Sequence, residues 1–292
     1  MSRTDGQTRS SDGVEIHYRI ESPDGDRGTE TGVDAGAETV VLVNGIGDDL
    51  EAWLLQVPDL LAAGLRVVSF DNRGLGASGR PPGPYTSGQG AADLRAVVAA
   101  LGLKDFHVVG CSMGGLIALA YALGAPAGLR SLVLANTYAA PDAFSRDILE
   151  SWAAILAAGG MPAVMRQMAP WIFSPAFHQD QAETLAGFIT EMVASPQTAE
   201  SFAAQLAILH DHDCWARLGE IRVPALVLVA ESDVFIRPDL SRRMLERLPD
   251  ARWASVPGGH AVMWENPAAW NQAIVGFIRD HATDAGAGRS IT

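Results

Sequence analysis

The chain has 292 residues, 48% of them hydrophobic, which is enough apolar material for one large core or two ordinary ones. Its 21 basic and 34 acidic residues leave a formal charge of −13, so no broad basic face is available for a phosphate backbone or an anionic lipid, and neither nucleic acid nor membrane is expected as a partner. Two cysteines, Cys111 and Cys214, no basic-then-apolar leader and no apolar run of the roughly 20 residues that a membrane helix needs predict a cytoplasmic protein without disulfides.

In chain order, GVEIHYRI (13 to 20) alternates in period two and predicts a half-buried strand, and the acidic, glycine-rich stretch 21 to 38 predicts a mobile loop. TVVLVN (39 to 44) is a short aliphatic run of the kind buried on both faces of a parallel sheet. After it, NGIGDD (44 to 49) carries Gly45 and Gly47, which let backbone approach a ligand. LRVVSFD (65 to 71) is a second such run. It leads into GLGASG, where Gly74, Gly76 and Gly79 match the dinucleotide fingerprint. That fingerprint must open a helix, and the prolines of RPPGPY forbid one, so no nicotinamide or flavin is expected.

A helical pattern over 88 to 102 precedes the third run, FHVVG (106 to 110). Gly110-Cys111-Ser112-Met113-Gly114 then fits G-x-S-x-G, the strained strand-to-helix turn that exposes a serine hydroxyl above a sheet, and LIALAYAL supplies the helix. Cys111 reads as a packed neighbour. A fourth run, LRSLVLAN (129 to 136), is followed by short helices over roughly 138 to 216. These carry Trp152, Met161, Met165, Met168, Trp171, Phe173, Phe177, Phe188 and Phe202, which read mostly as the core of an insert, with a minority lining a cavity. His210 and His212 in HDHDC have the wrong spacing for one helix face and no second ligand cluster, so no metal is expected. His17, His107, His178 and His281 read as structural or solvated. PALVLVAESD (224 to 233) ends a strand at Asp233, a helix follows over 239 to 247, and ARWASVP (251 to 257) ends a strand just before His260. A helix from Pro267 to about Asp280 and a disordered tail over 283 to 292 complete the chain.

A serine hydroxyl is a poor nucleophile until a base takes its proton. Asp233 and His260 follow Ser112 in the order Ser, Asp, His, each at the end of a later strand, as a sheet carrying this serine elbow would require. Met113 N–H and an amide of the 44 to 49 loop, with Ile46 N–H as the candidate, are the expected oxyanion donors.

Residues 13 to 280 resemble the α/β-hydrolase superfamily through FDNRGLGASGRP (70 to 81), GCSMGG (110 to 115), ESD (231 to 233) and GGHAVMWENP (258 to 267), all in family order. VNGIGDDLEAW, RPPGPYT and LVLANTYA resemble the 3-oxoadipate enol-lactonase-like and carboxylesterase-like branch, with Asn44-Gly45 where many members carry His-Gly. The resemblance implies the α/β-hydrolase fold, an α/β architecture with a mostly parallel central sheet flanked by helices and a helical cap between two late strands. The core would be 13 to 137 and 217 to 281, the cap 138 to 216, and the flexible termini 1 to 12 and 282 to 292. It also implies a serine hydrolase acting on a small-molecule ester or lactone through Ser112, His260, Asp233 and an acyl-enzyme, with no cofactor. Asn44, Trp152, Trp171, Phe173, Val234 and Ala261 are the pocket candidates. With only Arg146 and Arg166 as arginine or lysine in the insert, an uncharged substrate is expected over a carboxylated one. Hydrolysis of a C–C bond, perhydrolysis and lyase chemistry use similar triads and stay open, as does a hydrolase-like receptor with slow turnover. Epoxide and haloalkane hydrolysis by an elbow aspartate are disfavoured by serine at 112. Monomer and homodimer are both compatible with the sequence.

Overall fold

The computed structural model describes residues 2–23, 38–194 and 197–282. Its elements follow the alternation of the sequence. β1 (Ser2–Arg9) and β2 (Glu15–Ser22) form a hairpin. Then come β3 (Thr39–Val43), α1 (Val57–Ala62), β4 (Arg66–Phe70), α2 (Ser87–Ala100), β5 (Phe106–Cys111), α3 (Met113–Ala122) and β6 (Leu129–Ala135). Four helices separate β6 from the next strand: α4 (Ala143–Ile172), α5 (Pro175–Asp180), α6 (Ala182–Val193) and α7 (Ala199–Asp211). The chain closes with β7 (Ala225–Ala230), α8 (Pro238–Arg242), β8 (Ala251–Val256), α9 (Val262–Glu265) and α10 (Pro267–Arg279).

The eight strands make one sheet in the order β1-β2-β4-β3-β5-β6-β7-β8, parallel from β4 to β8 and antiparallel at the β1-β2 and β2-β4 pairs. Period-two geometry sends Val41 and Val43 of β3 to one face and Val40 and Leu42 to the other. The first pair packs in the core shared with α2 and α3, the second in the core shared with α1 and α10. Both faces are covered, which is why these strands read as continuous apolar runs.

Residues 2–9, expected as part of a flexible terminus, instead form β1, in register with β2 from Ser2 opposite Ser22 to Arg9 opposite Glu15. The strand is exposed along most of its length, so it lacks the alternating burial that marks a strand in sequence. Arg19 of β2 ties it down, donating to Asp5 at 3.0 Å and to Glu51 at 2.7 Å. The helix expected over 239 to 247 is α8 continued by a 3-10 turn, Arg243–Glu246. The loop expected over 21 to 38 and the tail expected over 283 to 292 fall largely or wholly outside the described residues.

α4 is long and apolar enough by composition to cross a bilayer, but it bends at Gly160, where φ is 68°. Along its length it buries Ile148, Trp152, Leu156, Val164 and Met168 against the rest of the protein. The segment holding α4 to α7 leaves and rejoins the sheet at one place, where Cys214 N–H donates to Ala139 O at 2.9 Å.

Candidate active site

Ser112 stands between β5 and α3 with φ at 54°, a left-handed conformation that costs a non-glycine residue energy. The turn is held by Ser112 N–H donating to Ala135 O at 2.9 Å, and by Gly115 N–H and Thr137 Oγ1 donating to Ser112 O at 2.9 Å each. The flanking glycines are required by space. A Cβ on Gly110 would strike the Gly114 carbonyl, and one on Gly114 would strike the Val43 carbonyl.

His260 Nε2 lies 2.9 Å from Ser112 Oγ, and His260 Nδ1 lies 2.7 Å from Asp233 Oδ2. Asp233 is buried, and its other oxygen accepts from Phe235 N–H at 3.0 Å and Ile236 N–H at 2.8 Å. The two amides and the imidazole fix the position of the carboxylate, with Oδ2 facing His260 Nδ1. The loop carrying His260 is anchored twice more: Asn136 Nδ2 donates to His260 O at 2.8 Å, and Ala261 N–H donates to Ile172 O at 2.7 Å.

The loop after β3 faces this chain of hydrogen bonds. Asn44 Nδ2 donates to Asp48 O at 3.0 Å and to Phe70 O at 3.1 Å, while Asn44 Oδ1 accepts from Trp53 Nε1. Gly47 N–H donates to Gln205 Oε1 of α7 at 3.2 Å, and Leu50 N–H to Asp71 Oδ1 at 2.9 Å. Ile46 N–H enters no hydrogen bond among the described residues. Met113 N–H is the first amide of α3 and has no carbonyl a turn back to receive it. The glycines of GLGASG wrap a side chain of the protein itself: Gly76 closes on Asp71, which also binds His17 at 3.0 Å and Ala77 N–H at 2.9 Å.

Between the elbow and the insertion lies a cavity of about 670 Å³ of atom-free space, mouth included. Ser112, His260, Ile46, Cys111 and Asp48 form its floor, and Trp152, Met165, Met168, Ile172 and Met192 of α4 and α6 its roof. Phe235, Ala261, Met263 and Trp264 complete the wall. Burial pushes the Cys111 thiol far up, so it stays protonated and inert beside Ser112. Burial also pushes the Asp48 carboxyl up to about 7, against the pull of His260.

Of the six pocket candidates, Trp152 and Ala261 line the cavity and four do not. The Asn44 side chain is spent on the loop, Trp171 packs edge-on to Phe144, Phe173 stacks with Phe177 and Phe188, and Val234 faces solvent. Sequence reasoning did not single out Asp48, Met192, Phe235, Met263 or Trp264. For Phe235, Met263 and Trp264 the signal was nearness to Asp233 and His260. His210 and His212 go separate ways: His210 pairs with Asp211, and His212 lies 2.8 Å from Ser87 Oγ and 3.3 Å from Cys214 Sγ.

The chain is similar to known proteins across most of its length. The sequence model described as alpha/beta hydrolase fold matches residues 38–267. "Putative carbamate hydrolase RutD" of Azorhizobium caulinodans is 34% identical over 244 residues, 83% of this chain and 92% of that protein. The enol-lactonase from Burkholderia xenovorans LB400 superposes with a TM-score of 0.82 at 27% identity, over 94% of this chain and 100% of that one. A thermophilic esterase from Thermogutta terrifontis superposes with a TM-score of 0.79 at 27% identity, over 97% of this chain and 100% of that one. With its sheet order, its serine elbow and a family match across most of its length, the chain belongs to the α/β-hydrolase fold family.

Proposed function

We propose that the protein is a serine hydrolase that opens a small carboxylic ester, lactone or related acyl bond. The observation that carries this reading is the continuous hydrogen-bonded chain from Asp233 through His260 to Ser112 Oγ, 2.7 Å and 2.9 Å in its two links, ending on the floor of a mostly apolar cavity. His260 Nε2 takes the proton as Ser112 Oγ attacks the carbonyl carbon, and Asp233 stabilises the imidazolium that forms. The carbonyl oxygen gains negative charge and is met by Ile46 N–H and Met113 N–H; loss of one such donor costs about 3 kcal/mol of transition-state stabilisation. His260 returns the proton to the leaving oxygen. Water, activated by the same imidazole, then releases the acyl group.

The helices α4 to α7 act in this reading as a cap that excludes bulk water and contributes most of the apolar surface around the substrate. The names of the relatives, an enol-lactonase, an esterase and a carbamate hydrolase, support an acyl carbon bonded to oxygen as the reacting centre. The test is labelling by a fluorophosphonate followed by intact mass. One adduct per native chain, absent in Ser112→Ala and strongly slowed in His260→Ala, supports the reading; a folded native chain that takes no label sinks it.

A further inference from the structure

We propose that Asp48 is the specificity-determining residue of this site, a hydrogen-bond acceptor that favours esters bearing a hydroxyl or ammonium donor near the scissile carbonyl and rejects esters bearing a carboxylate. The inference rests on the hydrolase reading above and adds to it the chemical class of substrate.

The position comes first. Asp48 lines the same cavity as Ser112 and His260. A Cβ added to Gly45 would lie 2.7 Å from Asp48 Oδ2 and 3.6 Å from Ser112 Cβ, so the carboxylate and the nucleophile flank the same side of that glycine. A substrate attacked by Ser112 therefore passes within a few atoms of the carboxylate.

The carboxylate is also free to act. Three neighbouring acids are occupied: Asp49 accepts from Glu51 N–H, Asp71 binds His17, Leu50 N–H and Ala77 N–H, and Asp233 holds His260 and two amides. Asp48 makes no side-chain hydrogen bond or ion pair among the described residues. The groups that face it are His260 from its loop, the Cys111 thiol and Ser112 from the end of β5, with Asp49 beside it and Asp233 behind His260. From α4 and α6 the facing side chains are Trp152, Met165, Met168, Ile172 and Met192, and no lysine or arginine lines the cavity among the described residues. An anionic substrate would thus meet a carboxylate with no lysine or arginine among the described lining residues to offset it, while a donor would supply the partner the carboxylate lacks. A second polar point is unspent as well, since the Trp152 indole N–H is buried in the same wall without a partner and can donate to a substrate oxygen. Ionised or neutral, Asp48 keeps an acceptor oxygen, so it can take a hydroxyl proton on either side of its titration near 7.

The experiment compares kcat/KM at pH 8 for phenyl glycolate, phenyl propionate and phenyl hemimalonate, and for phenyl 3-aminopropionate, whose amine stays protonated there, beside its isostere phenyl butyrate, each divided by its rate with hydroxide. 2-Hydroxyethyl and propyl butyrate form the matching pair on the alcohol side. Native protein, Asp48→Asn and Asp48→Val are measured as ratios to the apolar member of each set. In the native protein a donor-bearing ester should exceed its apolar isostere by about tenfold or more, and hemimalonate should fall at least tenfold below propionate. Both ratios should collapse toward one in Asp48→Val. In Asp48→Asn, hydroxyl selection should persist, whereas ammonium selection and carboxylate rejection should shrink about tenfold. Selection of glycolate without the aminopropionate identifies a hydroxyl as the ligand, and the reverse an ammonium. Native-like ratios in Asp48→Val, in a chain that still takes the fluorophosphonate and turns over propionate, overturn the assignment and leave the hydrolase reading standing. A native chain that neither labels nor cleaves any ester overturns both.

Discussion

Asp233→Asn tests the site at the scale of single atoms. The amide oxygen of an asparagine would take the Phe235 and Ile236 N–H groups, leaving its NH2 to face His260 Nδ1. The imidazole would then carry its proton on Nε2 and could not accept one from Ser112, so kcat should fall about 10⁴-fold with the fold intact. Stopped-flow turnover together with circular dichroism checks both halves of that statement. Gly114→Ala addresses the elbow: the new methyl would press on the Val43 carbonyl, and a loss of 1–3 kcal/mol or more in urea unfolding is expected, with activity falling alongside. Asp48 supplies a pH dependence. Its carboxyl gains charge as pH rises through about 7, so the native preference for propionate over hemimalonate should widen across that range and stay flat in Asp48→Asn. Ser112, Asp233 and His260 could be singled out in sequence because each follows a strand in the order this fold uses, and the structure brings the three within hydrogen-bond distance. Asp48 was not, because an aspartate after a glycine reads as an ordinary turn residue, and only the folded loop shows that its carboxyl lacks a partner while that of Asp49 has one.

At the scale of elements, two carboxylates join pieces that the sequence keeps far apart. Glu265, at the end of α9, accepts from Ser174 N–H at 2.8 Å, from Ser174 Oγ at 2.6 Å and from Gly259 N–H at 3.1 Å. It binds Ser174, the cap of α5, to the residue before His260. Glu265→Gln puts a donor where one of those acceptors stands, and kcat should drop roughly tenfold by displacement of His260, with KM for a short ester less affected. Steady-state kinetics on native and variant protein decides the matter. Asp93 of α2 forms a two-pronged pair with Arg73, 2.7 Å at each contact, and both side chains are buried. Asp93→Ala leaves the guanidinium with only Asp12 opposite it and should cost about 3 kcal/mol in urea unfolding. The central strands were readable because both their faces are covered; β1 was not, because it sits exposed at the sheet edge and its pattern carries no burial signal. The insert was readable as helical but not in detail, since a Met or an aromatic that packs inside it looks the same in sequence as one that lines the cavity.

For the molecule as a whole, His212 links the insertion to the core. It follows α7, contacts Ser87 at the start of α2, and burial depresses its pKa to about 4. The unfolded chain, with an ordinary histidine near 6.5, therefore binds a proton that the folded chain refuses, and folding stability falls as pH drops from about 6.5 toward 4. The stability advantage of native protein over His212→Gln should shrink by about 2 kcal/mol between pH 7.5 and pH 5, read from urea midpoints.

The contact between Cys214 N–H and Ala139 O closes the base of the insertion as a ring is closed by a clasp. Everything between those two residues leaves through one doorway and returns through it, while β6 and β7 stay paired beneath. A change in the length of that segment would therefore leave the register of β6 on β7 in place. Under the proposed reading, the reacting groups and Asp48 belong to the sheet and its loops, and the segment above supplies the apolar roof over them.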